Sequence, residues 1–75
     1  MGKIESLVNE LVAMGVIWTG DKERAASDLS CKGQWGTGIV DDSAVWDRAI
    51  STASAHGMTG SVDDSDGIPY FSIRA

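Results

Sequence analysis

Five apolar side chains near the start of the chain, Ile4, Leu7, Val8, Leu11 and Val12, recur at the spacing of one helical face. At 3.6 residues per turn they form a single stripe, and Lys3, Glu5, Ser6, Asn9 and Glu10 take the wet side. Such a helix gains stability by docking its stripe, so the rest of the chain must supply a surface to receive it. Gly15, shortly after the stripe ends, suits a left-handed helix terminus that a bulkier residue would strain.

That surface has to be built from little. With 75 residues there is room for one compact domain, residues 1–75, and one modest core. Cores of this size contribute only about 3–5 kcal/mol unless disulfides, metal or oligomerisation help. Cys31 is the single cysteine, so no disulfide can form within the chain, and with His56 as the single histidine a four-ligand Cys/His zinc centre is not expected. Apolar residues make up 43% and charged residues 23%, the balance of a folded protein rather than a disordered one. No apolar run approaches the roughly 20 residues of a membrane-spanning helix. Met1 to Val12 is amphipathic and acidic where a signal peptide would be basic and continuously apolar. A soluble protein in the cytoplasm is the expectation.

The remaining segments predict an α+β fold. Val16-Ile17-Trp18, two β-branched residues and an indole, suits a brief buried strand. Thr19-Gly20-Asp21 offers a turn and a cap for a second helix reaching about Cys31, with Ala25, Ala26 and Leu29 as its thin apolar content. Gly33 to Gly38, with three glycines in six residues, reads as a loop, and Ile39-Val40 as a short strand after it. Asp41, Asp42 and Ser43 supply capping oxygens for a third helix, whose stripe is Trp46, Ala49, Ile50 and Ala53 and whose stop is Gly57. Met58–Val62 and Ile68–Ile73 flank the turn formers Asp63-Asp64-Ser65-Asp66-Gly67 and predict a C-terminal β-hairpin. Pro69 lacks a backbone donor and places the last strand at an edge or beside a bulge.

Candidate chemistry is sparse. Taking Gly67 as the sixth position of a calcium loop puts Val62 and Ile73 where oxygen ligands are required and Pro69 at the eighth position, so the segment reads as a solvated hairpin tip. The spacing of Gly33, Gly36 and Gly38 is not that of a phosphate-binding loop. Nucleophilic catalysis would pair Cys31 or a serine with His56, but no third orienting residue stands at a recognisable spacing. Neighbouring carboxylates such as Asp41 and Asp42 read as helix caps rather than as an acid–base pair. No cofactor, metal or enzymatic activity is expected. Of the three tryptophans, Trp46 belongs to a helical stripe and is expected in the core, and Trp18 in the core or half-buried. Trp35, between Gln34 and Gly36, has two roles open to it: an exposed binding anchor or a lid on the core.

Charge is distributed unevenly. Between Ile39 and Gly67 lie six acids, Asp41, Asp42, Asp47, Asp63, Asp64 and Asp66, and one base, Arg48, which together carry the whole net charge of −5. Elsewhere Glu5, Glu10, Asp21, Glu23 and Asp28 are cancelled by Lys3, Lys22, Arg24, Lys32 and Arg74. One anionic surface on an otherwise neutral domain is the expectation, with Trp35 and the six aspartates as candidate partner-binding residues.

The expected order of elements, helix, short strand, two helices and a hairpin, resembles a winged helix-turn-helix. The chain departs from that pattern in the eleven residues, Lys32 to Asp42, between its second and third helices. The would-be recognition helix, Ala44 to His56, offers only Arg48 as a fixed cation, and the would-be wing carries three aspartates. An acidic wing over an acidic helix repels DNA, so direct DNA binding is not expected. In size and acidity the chain also resembles the small inhibitors of phages and mobile elements, anti-CRISPR proteins and DNA mimics among them. That resemblance implies a non-enzymatic module whose carboxylates occupy a basic groove on a nucleic-acid-handling complex, inside the host cell. The alternatives are a small homo-oligomerising module, with a homodimer as one form, and a winged-helix-like transcriptional accessory acting through protein contacts.

Overall fold

In the computed structural model, which describes residues 2–75, three helices pack on one face of a three-stranded antiparallel sheet. The expected stripe forms α1, Lys3–Ala13, and buries Leu7, Val8 and Leu11. Its end is closed by Gly15 at φ 81°. The amides of Val16 and Ile17 both donate to the Leu11 carbonyl, at 2.9 and 3.3 Å. This wrap replaces the expected Val16–Trp18 strand: Val16 and Ile17 turn into the core, while Trp18 is left 73% exposed. A single 3₁₀ turn at Thr19–Asp21 leads into α2, Lys22–Cys31, which contributes Ala25 and Leu29 to the core.

The largest departure from expectation follows. Gln34–Gly38, expected as a loop, is strand β1, and Ile39-Val40, expected as a strand, is irregular. Helix α3, Ser43–Ala55, starts at Asp42, whose carboxylate accepts the Ala44 amide at 3.0 Å. Its core positions are Ala49 and Ala53, joined by half-buried Val45 and Ile50. Trp46 lies about 100° around the helix from Val45 and is half-buried at the rim rather than in the core. Its indole instead donates to the Val40 carbonyl at 2.6 Å, which also accepts the Asp42 amide at 2.9 Å. The turn into α3 is pinned by both bonds.

Strands β2, Thr59–Asp63, and β3, Tyr70–Arg74, form the expected hairpin. The sheet order is β1-β3-β2, so β3 is central and not at an edge. Buried Pro69 precedes its first paired residue, where no ladder donor is required, and its carbonyl accepts the Ile39 amide at 3.1 Å. Phe71 and Ile73 face the helices and are buried; Tyr70, Ser72 and Arg74 alternate to the open face. The chain is thus a small α+β domain with one hydrophobic core. No helix among the described residues is long and apolar enough to cross a membrane.

Candidate functional site: an acidic end of the sheet

The pairing register brings the two acidic segments to one end of the sheet. Gly38 pairs with Tyr70, and Tyr70 pairs with Asp63. Beyond Gly38 the chain runs through Ile39 and Val40 to Asp41 and Asp42; beyond Asp63 it runs through the tip containing Asp64 and Asp66. The bond between the Ile39 amide and the Pro69 carbonyl ties the two segments together. Asp47 lies one turn into α3. All six aspartates are exposed.

The tip is ordered by its own chemistry. The Asp63 carboxylate accepts the Ser65 amide at 2.9 Å, and the Gly67 amide closes on the Asp64 carbonyl at 2.9 Å. The backbone bond from Ser65, and then its side chain, hold the Asp63 carboxyl below its ordinary value of 3.8. Across this end, charge repulsion is relieved by water, since none of these groups is buried.

Apolar surface accompanies the acids. Among the described residues Val40, Ile68 and Tyr70 are three of the four exposed large hydrophobic residues, at 60%, 75% and 48%, and all three belong to these segments. Their exposure follows from local structure: Val40 sits in a turn, Ile68 follows the tip glycine, and Tyr70 takes an outward strand position. Sequence reasoning missed them, although the outward phase of Tyr70 was available from the alternation of Phe71 and Ile73.

Trp35 is not the exposed loop residue that an anchor role requires. It lies in β1 opposite Ile73, on the core-facing side, and packs half-buried against the core. Its Nε1 is the only buried side-chain nitrogen or oxygen among the described residues that lacks a hydrogen-bond partner. The exposed indole is that of Trp18, seated over Gly20, where any added Cβ would meet the ring.

The residues considered for catalysis are placed differently. Cys31 is exposed at the end of α2. His56 caps α3 with Nδ1 2.8 Å from the Thr52 carbonyl and Nε2 2.8 Å from a Glu10 oxygen. The ring therefore bridges α1 and the end of α3, with an acceptor oxygen beside each nitrogen. No group of three or more potential metal ligands gathers among the described residues. Comparison of the chain with protein-family models, with curated proteins and with solved structures finds no match.

Proposed function

We propose that this chain is a non-enzymatic protein-binding module whose acidic end docks on a basic surface, in the manner of a phage-type inhibitor of a nucleic-acid-handling complex. One observation carries the reading: the sheet register gathers Asp41, Asp42, Asp63, Asp64 and Asp66 at the end that also exposes Val40, Ile68 and Tyr70. Apolar side chains with a charged rim are the composition of a protein-binding surface. The carboxylates steer a basic partner and set its orientation, while the apolar residues supply the desolvated contact. Here the anchor role moves from Trp35 to Val40, Ile68 and Tyr70.

The test is retention of proteins from host lysate on the immobilised chain, followed by association rates for whatever is retained. Asp→Asn at Asp63, Asp64 and Asp66 is expected to slow association and flatten its salt dependence, since exposed charges act over about 8–10 Å near physiological ionic strength. Neutralising Lys3 and Lys22 is expected to do much less. Equal, salt-independent rates for the two variants overturn the proposal.

A further inference from the structure

Among the described residues no strand covers the outer edge of β1, and its composition fits a second copy of itself. Backbone bonds join Gly33 to Ala75 and Ile39 to Pro69, at 2.9 and 3.1 Å. In an antiparallel ladder such bonded positions alternate, so the odd-numbered residues of β1 turn their N–H and C=O groups toward β3. Gln34, Gly36 and Gly38 turn theirs away, and no strand among the described residues pairs with that side of β1. This edge therefore presents three donors and three acceptors. Natural proteins blunt such edges with charge, proline or bulges, yet β1 has none of these, and two of its three outward-directed residues have no side chain.

We infer that two copies of the chain associate through β1, antiparallel about Gly36, into a continuous six-stranded sheet. With Gly36 opposite its own counterpart, Gln34 of each copy pairs with Gly38 of the other, and all six outward groups of each edge are satisfied. Shifting the register by two residues in either direction leaves part of each edge unpaired. The same register carries charge complementarity. It sets the Lys32 end of one strand beside the Asp41–Asp42 end of the other, twice over, and all three side chains are exposed. The other edge, β2, is a poorer choice. It directs only Gly60 and Val62 outward, ends in Asp63 and Asp64, and is preceded by no lysine or arginine that would offset those acids in a second copy. The inference does not rest on the acidic-end reading, since backbone groups carry it; it draws Asp41 and Asp42 into the seam and leaves the Asp63–Asp66 tips uncovered at diagonal corners of the sheet.

Sedimentation equilibrium of the full chain from about 1 µM to 1 mM, the range of weak association, is expected to show a monomer–dimer equilibrium. In parallel, amide exchange at Gln34, Gly36 and Gly38 is expected to slow as concentration rises, while exchange at Trp35 and Thr37 stays unchanged. A Cβ at Gly38 meets nothing within 4 Å and its amide takes no part in the β1–β3 ladder. Gly38→Pro is therefore expected to keep the fold, by circular dichroism, and to weaken the dimer at least about tenfold through two lost bonds. Charge reversal gives a second route that does not disturb the strand. Lys32→Glu and Asp41→Lys each weaken the dimer, and the two together restore it. A chain that stays monomeric to the top of the range overturns the inference. So does a dimer indifferent to the charge reversals and without concentration-dependent protection at the three outward amides.

Discussion

Gly60 in β2 faces the helices, and a methyl group there would lie 3.1 Å from the Phe71 ring and 3.2 Å from both Ala53 and the Ile50 backbone. Gly36 and Gly38 in β1 face the other way; a methyl at Gly38 would meet nothing within 4 Å, and one at Gly36 would run into the Tyr70 ring. The two strands have equal length and flank the same partner. In β2 the missing side chain lets α3 come close, so glycine serves packing. In β1 it serves no helix: Gly36 makes room for the Tyr70 ring, and Gly38 leaves backbone accessible. Two glycine-bearing strands of one sheet thus answer different demands, and the difference is readable only from which face each glycine takes.

The largest expected effect tests the support that both strands share. Leu11 is fully buried in the single core, and Leu11→Ala should cost about 2–5 kcal/mol, enough to unfold much of a marginal domain. Thermal melts check the size, and amide exchange should show β1 and β2 losing protection together. A variant melting within a degree or two of the parent breaks the picture of one common core.

Next comes the contrast itself. Gly60→Ala should cost about 1–3 kcal/mol by overpacking against the α3 backbone. Gly38→Ala should instead be neutral or stabilise by up to about 1 kcal/mol, through a less flexible unfolded chain. Equal melting temperatures for the two variants erase the distinction between the strands. A smaller effect sharpens it: Asp42→Ala removes the α3 cap and should cost about 1 kcal/mol. Because α3 packs on β2, hydrogen exchange should quicken in α3 and β2 more than in β1.

The smallest effect concerns the end of β2. Asp63 is ionised more readily in the folded turn than in the open chain, so its support for the hairpin is complete above the ordinary value of 3.8. That support is lost as pH falls through the lowered folded value. An NMR titration of the Asp63 carboxyl, read beside amide exchange at Ser65, should show both changes in the same acid range. Asp63→Asn should remove the pH dependence of the Ser65 protection factor, the exchange rate taken relative to its intrinsic value, and its persistence there would assign the turn to other groups.

Much of this fold was legible because local chemistry and tertiary structure agree. The stripe of α1, the left-handed glycines at 15 and 57, the Asp42 cap and the Asp63–Gly67 turn each formed where the residues indicated. β1 was illegible because Gln-Trp-Gly-Thr-Gly has poor strand propensity, and only pairing with β3 makes it a strand. That hidden strand also moved β3 from the edge to the centre. The tryptophans misled for a related reason. Periodicity placed Trp46 on the stripe, but the helix turned its Val45–Ala49–Ala53 face inward, and the wrap after Gly15 sent Trp18 to solvent. For the candidate site, the six aspartates were visible as residues. The gathering of five of them, all but Asp47, at one end was not, since it depends on the three-strand register.

The central position of β3 also sets an order in time. β1 and β2 make no pairing with each other, so neither has a strand partner until β3 has been synthesised. β2 waits only for a hairpin to close, while Gly38 must wait for Tyr70 and Gln34 for Arg74. During that interval β1 is an unpaired segment in a growing chain, the condition in which strands are prone to wrong partners. Its low intrinsic preference for extended structure then becomes protective. A segment that becomes a strand only when the correct template arrives offers little to any other.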